Sequence, residues 1–139
     1  MTTRMEAGSI ELETGKLTLE QLTSMLDTMP VDFTFIDKTD VVCYFNNAPD
    51  RIFVRSKAVI GRTVQNCHPD KSIHVVNKLL DEMKQGNRDK AEFWITLNGR
   101  LIFITYYAVR KNGEYMGCLE VTQDITDIKK ITGQKRLLD

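Results

Sequence analysis

Two Asn-Gly pairs, Asn98-Gly99 and Asn112-Gly113, constrain the fold more than any other feature of this sequence. Asn-Gly between two strand-like runs is a strong signal for a two-residue β-hairpin turn, because both residues tolerate a positive φ angle. The runs that these pairs join, residues 91–97, 101–109 and 115–124, are rich in β-branched and aromatic residues. The sequence therefore predicts three consecutive antiparallel strands near its C-terminal end.

The part of the chain before these strands predicts two helices and another hairpin. Thr18 and Gln21 have capping-box spacing, and apolar residues at helical spacing continue from there to Pro30. Residues 31–37 and 41–46 alternate between apolar and polar side chains, as strands do. A longer helix after residue 72 has an apolar stripe, and Gly86 is placed as its C-cap.

This order of elements predicts an α+β fold, with a five-stranded antiparallel sheet and helices packed on one face. Residues 1–16 are predicted to be a flexible leader, residues 17–125 the domain with its N-terminal helix, and residues 126–139 a short amphipathic helix for signalling or pairing. The first helix either packs on the domain or forms a dimer contact through its Met and Leu side chains. A homodimer is expected in either sensory or structural use.

Composition excludes several classes of protein. Lys+Arg and Asp+Glu number 19 each, and this balance argues against a nucleic-acid binder, which needs a basic surface. No run of about 18 apolar residues is present, so no membrane span is predicted. The three cysteines stand singly and no secretory signal precedes them, which favours reduced thiols in a cytoplasmic protein.

Several motifs resemble a PAS domain over about residues 19–138. They are V-D-F-T-F-I-D at residues 31–37, V-I-G-R-T-V at residues 59–64 and D-I-T at residues 124–126. The block R-I-F-V-R-S-K-A-V-I-G-R-T-V-Q-N-C-H-P-D-K-S, together with L-E-V-T-Q-D-I-T, resembles a bacterial and archaeal PAS subgroup of unknown function. Members of that subgroup often lie C-terminal to a helical hemerythrin-like domain. The resemblance implies strand order 2-1-5-4-3 and a signal exit at Asp124, Ile125 and Thr126.

Such a fold predicts an apolar cavity between the inner face of the sheet and the long helix, where a small ligand could bind. The alternative is that the same side chains simply fill a close-packed core. Three polar residues, Asn46, Cys67 and Tyr106, are candidates to orient a ligand. The predicted lining residues are Phe33, Phe35, Val76, Leu80, Phe93, Ile95, Ile104, Leu119 and Val121.

Catalytic and metal-binding signals are weak. No Gly-rich phosphate loop or nucleophile elbow is present, and the adjacent pair Cys67-His68 has no third residue to orient it, so no enzyme is predicted. Cys67, His68 and His74 are ligand types for a metal but lack regular spacing. The competing interpretation is that His68-Pro69 fixes the entry to the long helix.

Cofactors are left open by the sequence. PAS resemblance implies a haem ligand on the long helix, at a position that falls on Val75 here, while His74 lies nearly opposite the apolar stripe and is predicted to face solvent. A haem or redox sensor stays an alternative. Light-sensing relatives carry N-C-R-F-L-Q, but Asn66-Cys67 is followed here by His68, so flavin is not predicted.

The function predicted from the sequence is a sensory module that binds a small ligand, dimerises and passes a signal to an attached or partner domain. The alternative is a purely structural dimerisation module with a filled core.

Overall fold

The computed structural model describes residues 8–68 and 70–139. Nine regular elements lie in these ranges: β1 Ser9–Leu12, β2 Gly15–Thr18, α1 Leu19–Thr28, β3 Asp32–Asp37, β4 Val42–Phe45, α2 Asp70–Lys84, β5 Lys90–Leu97, β6 Arg100–Lys111 and β7 Glu114–Asp124. Short 3-10 turns occur at Lys57–Val59, Val64–Cys67 and Ile128–Lys130. No helix in the described part of the chain is both long and apolar enough to cross a membrane.

The main sheet has five antiparallel strands in the order β4-β3-β7-β6-β5. Counted within this sheet, the order is 2-1-5-4-3, and both the predicted fold class and the strand order are confirmed. The two Asn-Gly turns have positive φ angles at both residues, 52° and 78° at Asn98 and Gly99, and 53° and 81° at Asn112 and Gly113. These angles are those of type I′ turns, whose twist matches that of the flanking strands.

The helix ends form as the sequence predicts. At the start of α1, Gln21 N donates to Thr18 Oγ1 over 3.0 Å, and Thr18 N donates to Gln21 Oε1 over 2.9 Å. At the end of α2, Gly86 has a φ of 81°, its N–H donates to Met83 O, and Asn87 N donates to Glu82 O. The second arrangement is a Schellman motif, which satisfies carbonyls that the helix leaves unpaired.

The hydrophobic core lies between α2 and one face of the sheet, which we call the inner face. Ile36 on β3 and Cys118 on β7 are buried there against the side of α2 that carries Leu80 and Met83. Burial of a side chain such as Leu80 contributes about 1.5–3 kcal/mol relative to exposure. The core therefore fixes which face of the sheet the long helix covers.

The N-terminal segment differs from the prediction of a flexible leader. Residues 1–7 lie outside the described residues, but β1 and β2 pair as a small antiparallel hairpin in which Ile10 is opposite Leu17. Each strand has only four residues. Alternation over so short a run cannot be distinguished in sequence from an irregular polar segment, and the hairpin was missed for that reason.

The predicted C-terminal helix is absent from the structure, which is a second correction. After β7 the chain makes one 3-10 turn, Ile128–Lys130, and the segment that follows has no regular structure. Gly133 has a φ of 67°, and Ile131 and Leu138 are 72% and 91% exposed. Because no described residue buries these apolar side chains, a helix this short lacks the packing that would stabilise it.

Candidate functional site

A small cavity, the inner cavity, lies between α2 and strands β5 and β6. Its volume is about 120 Å³. A cavity of about 150 Å³ holds one benzene molecule, so this space suits a single small ring and is far below the size of a haem. The lining residues are His68, Ser72, Val75, Val76, Leu79, Phe93, Ile104 and Tyr106.

Three predicted lining residues, Val76, Phe93 and Ile104, do line this cavity, and so does Tyr106, which was predicted to orient a ligand. Three other predicted residues, Leu80, Cys67 and Ile95, lie on the same side of the sheet but do not line the cavity. Leu80 is buried in the core, and the Cys67 thiol donates to Thr63 O over 3.5 Å. Ile95 pairs with Ile102 on β6 and is 43% exposed.

The assignment of Phe33, Phe35, Leu119 and Val121 to the cavity is wrong. Phe33 pairs with Val121 and Phe35 with Leu119, so the four share one face of the sheet. Since side chains alternate along a strand, this face is opposite to the one on which Ile36 meets α2. We call it the outer face; all four side chains are only partly buried there.

The inner face of β3 and β7 instead carries buried polar side chains, namely Asp32, Thr34, Glu120 and Thr122. Asp32 shows how this is tolerated: its Oδ2 accepts hydrogen bonds from Ile52 N over 2.9 Å and Phe53 N over 3.0 Å. The loop between β4 and α2 thus covers the polar part of the inner face and pairs with it. A buried polar group is stable where such partners exist.

Asn46 is fully buried, but its side chain contacts three backbone groups and the Arg51 side chain rather than a cavity. Its Oδ1 accepts from Phe33 N and from Arg51 Nη1, each over 2.8 Å. Its Nδ2 donates to Leu26 O and Val31 O, each over 2.9 Å. Asn46 therefore ties α1, β3 and the following loop together, and the amide has no atom left to orient a ligand.

A buried polar chain connects the inner cavity to the loop before α2. The Tyr106 hydroxyl donates to Glu120 Oε2 over 3.1 Å, and Arg55 Nη2 donates to Glu120 Oε1 over 3.1 Å. The side chains of Arg55 and Glu120 are only 18% and 8% exposed. Burial, followed by the nearby Glu120 carboxylate, raises the pKa of Tyr106 well above its ordinary value. Tyr106 is therefore a neutral hydrogen-bond donor at all physiological pH values.

Sequence reasoning missed Glu120 and Arg55. In the sequence, Glu120 shares one face of a strand with Cys118 and Thr122, and a glutamate on such a face usually indicates that the face is exposed to solvent. A buried carboxylate needs a cation or hydrogen-bond donors beside it. That partner, Arg55, comes from a loop remote in sequence, so no local pattern could have identified the pair.

The three predicted metal ligands do not form a cluster. His74 is exposed on α2, as the sequence predicts, whereas His68 lines the inner cavity. His68 Nδ1 lies 2.9 Å from Val64 O and donates a hydrogen bond to it, so Nε2 is the ring nitrogen that this contact does not use. No group of three potential ligands occurs among residues 8–68 and 70–139. Pro69, the other half of the predicted helix-entry pair, lies outside the described residues.

The predicted signal exit is held to the start of β6. Asp124 Oδ2 accepts from Arg100 Nε over 2.8 Å, and Thr126 Oγ1 accepts from Leu101 N over 2.8 Å. Ile125 N also donates to Leu101 O over 3.0 Å. The hydrogen bond from Arg100 lowers the pKa of Asp124 from 3.8 to about 2, so this carboxylate stays charged even in mild acid.

An exposed apolar surface lies on α1. Met25 and Met29 are 52% and 40% exposed. They line an open groove together with Leu17, Gln21, Ser24 and Thr28. The sequence predicts that this helix either packs on the domain or forms a dimer contact, and exposed methionines are what a dimer contact would need.

Comparison with known proteins gives one family and several structures. A family model described as PAS domain matches residues 22–126. The crystal structure of a C-terminal domain from Streptococcus mutans is 31% identical, with a TM-score of 0.84 over 90% of this chain and 98% of that one. No curated protein matches the chain.

Two more distant structures share the fold alone. The PAS domain of a protein from Colwellia psychrerythraea is 17% identical, with a TM-score of 0.55 over 78% of this chain and 98% of that one. A sensory box sensor histidine kinase from Vibrio cholerae is 11% identical, with a TM-score of 0.55 over 76% of this chain and 89% of that one.

Proposed function

This chain belongs to the PAS domain family, and from that premise we propose that it is a non-catalytic sensory module. It binds a small ligand in the inner cavity and passes the change to an attached or partner domain. The single observation that carries the proposal is the inner cavity itself, where apolar walls meet a small number of polar groups.

The ligand that suits this cavity is small, uncharged and partly apolar. Val76, Phe93 and Ile104 supply apolar contacts, and a volume of about 120 Å³ limits the ligand to roughly one ring. His68 Nε2 and the Tyr106–Glu120 pair supply polar contacts at the walls. A ring with one hydroxyl group matches both features. A haem or a flavin would require α2 to move away from the sheet.

The same residues give a route for the signal. Tyr106 lies on β6 in the cavity wall and donates to Glu120 on β7. β7 continues to Asp124, where the exit residues begin. A ligand that accepts the Tyr106 hydroxyl proton in a hydrogen bond competes with Glu120, and the resulting shift acts on the strand that leads directly to the exit.

Binding of phenol tests the cavity. We expect phenol to shift the backbone amide resonances of Val75, Phe93 and Ile104 in ¹⁵N-¹H spectra. The variant Ile104→Phe fills the cavity and should abolish these shifts, whereas Trp94→Phe on the outer face should leave them unchanged. Shifts that persist in Ile104→Phe, or that never occur in the unmodified protein, would refute ligand binding at this place.

A second experiment searches for the natural ligand. Native mass spectrometry of gently purified protein should show an additional small mass that Ile104→Phe lacks. A bare chain in both samples supports the second candidate function, a structural dimerisation module.

The exposed methionines on α1 favour that second function and are also compatible with the first. A homodimer through α1 would remove Met25 and Met29 from water, and burial of apolar surface drives such association. Sedimentation velocity should show a dimer that Met25→Glu dissociates. Thr23→Glu adds the same charge to α1 outside the groove and serves as the matched control. A dimer that survives Met25→Glu would exclude the α1 groove as the contact, and equal dissociation by both variants would show that the groove residues have no special part in it.

The proposed output lies outside the chain described here. The similar structure from Streptococcus mutans is itself a C-terminal domain. This supports the proposal that the unit acts as the C-terminal sensory part of a longer protein. The hemerythrin-like domain that the subgroup resemblance implies upstream stays a prediction.

A further inference from the structure

A second concave surface, separate from the inner cavity, lies at the edge of the sheet beside β4. We call it the edge groove. Its volume is about 630 Å³, which is within the range of about 300–1,000 Å³ that small-molecule sites have. Its lining residues are Cys43, Tyr44, Phe45, Asn47, Arg55, Lys57 and Ile60.

The charged residues that line this groove are all cations. Arg55 and Lys57 are cations, and none of the seven lining residues has a carboxylate. Lys57 is exposed and forms no ion pair in the part of the chain that the structure describes. Three carboxylates lie beside the lining, and each accepts hydrogen bonds: Asp27 from Asn47 N, Asp37 from Thr39 and Val41, and Glu120 from Arg55 and Tyr106. Lys57 is the lining cation that has no carboxylate partner within the described residues, so it is available to an anion.

Arg51 and Arg55, near the groove, each have one buried N–H group without a hydrogen-bond partner in the described residues. Arg55 uses Nη2 for Glu120, and its buried Nε has no hydrogen-bond partner within the described ranges. Arg51 lies over the Phe45 ring at 5.2 Å, and its buried Nη2 also lacks a hydrogen-bond partner there. Its side chain is 8% exposed, and its nearest carboxylate oxygen, Asp32 Oδ2, is 4.0 Å from Nη2. Arg55 Nε and Arg51 Nη2 are both buried, so an anion in the groove reaches Arg55 through the 18% of its side chain that is exposed.

The rest of the groove is aromatic and apolar. Tyr44 is 36% exposed and Ile60 is 42% exposed. The edge of β4 offers little backbone for a peptide strand, because Val42 N already donates to Arg62 O and Val42 O accepts from Gly61 N. A β4 of four residues with one end occupied suits a small molecule better than an added strand.

From these features we infer that the edge groove is a second binding site, for a small molecule with an anionic group and an aromatic body. The carboxylate or phosphate binds Arg55 and Lys57, and the ring packs on the exposed Tyr44 at the edge of β4. Guanidinium and ammonium groups both bind such anions strongly, and the aromatic side chains supply the contact area. The inference does not depend on a ligand in the inner cavity.

Benzoate and phenyl phosphate are the probes, with benzyl alcohol as the uncharged control. We expect both anions to shift the amide resonances of Tyr44, Asn47 and Lys57 and the Nε–H resonance of Arg55. Benzyl alcohol should bind at least tenfold more weakly. A preference for one anion over the other identifies the group that the site takes, and either preference supports the inference.

Lys57→Gln tests the charge without disturbing the buried pair. Because Lys57 is exposed, this variant should fold normally and bind benzoate about two- to fivefold more weakly. Lys16→Gln removes an exposed lysine elsewhere and should bind as the unmodified protein does. Equal binding of benzoate and benzyl alcohol, or no change in Lys57→Gln, overturns the inference. Shifts confined to Val75, Phe93 and Tyr106 overturn it too, because they place the probe in the inner cavity.

Discussion

Removing the hydroxyl group of Tyr106 tests whether the inner cavity has the polar wall described above. Tyr106→Phe keeps the ring and deletes the donor to Glu120 Oε2. The Glu120 side chain is 8% exposed, so water cannot readily replace the lost donor. A hydrogen bond to a charged group contributes about 1.5–3 kcal/mol. We therefore expect the free energy of unfolding to fall by about 2 kcal/mol.

Urea unfolding followed by far-ultraviolet circular dichroism measures this loss. With an m-value of about 2 kcal/mol per molar urea, the midpoint should fall by about 1 M without a change in slope. Tyr107→Phe is the matched control, because Tyr107 is the next residue on β6, faces away from the inner cavity and is 42% exposed. Its effect should stay within about 0.5 kcal/mol.

The reasoning fails if Tyr106→Phe and Tyr107→Phe are equally stable. It also fails if Tyr106→Phe costs as much in a Glu120→Gln background as in the unmodified protein. In that background the hydroxyl no longer donates to a charged group, so the two substitutions should be non-additive by at least about 0.5 kcal/mol.

Three further predictions concern the fold and the signal exit. A Cβ at Gly117 would contact the Ile36 carbonyl oxygen and lie 2.7 Å from the Phe35 ring. Gly117→Ala should therefore lower the free energy of unfolding in urea by about 3 kcal/mol or more. Gly86 also has a positive φ but has open space around it, so Gly86→Ala should lower it by about 1 kcal/mol. Asp124 should titrate near pH 2 in ¹³C carboxyl spectra, and Arg100→Gln should return it toward 3.8. Because the folded pKa is the lower one, the stabilisation by Asp124 is complete above about pH 4 and is lost as the pH falls toward 2, and an unchanged titration in Arg100→Gln would contradict the assignment. Asn46→Ala removes four buried hydrogen bonds and should destabilise the protein by about 3 kcal/mol or more, and a loss below about 1 kcal/mol would contradict the linking role of this side chain.

Local signals predicted the fold well because the turns and caps of this chain depend on neighbouring residues. The Asn-Gly turns, the Thr18–Gln21 capping box and the Gly86 C-cap each require only residues that are close in sequence. Their outcome does not depend on the rest of the fold. The strand order came from the family resemblance rather than from any local pattern.

The candidate site was harder to predict, because strand alternation identifies two faces but not which one is covered. The apolar face of β3, with Phe33 and Phe35, was assigned to the cavity on hydrophobicity alone. The face that carries Asp32 is the inner one, since the loop before α2 supplies donors to that carboxylate. Partners distant in sequence therefore decided the orientation, and the same holds for Arg55 and Glu120.

The order in which the strands pair has a kinetic consequence. Two-residue turns join β5 to β6 and β6 to β7. These strands can pair quickly, because little chain entropy is lost when short loops close. β3 and β7 pair although β4, α2, β5 and β6 lie between them in the sequence, so this ladder should form last in refolding. Until it does, one side of β7 has unpaired backbone groups, and the nascent meander is open to pairing with another chain at that side.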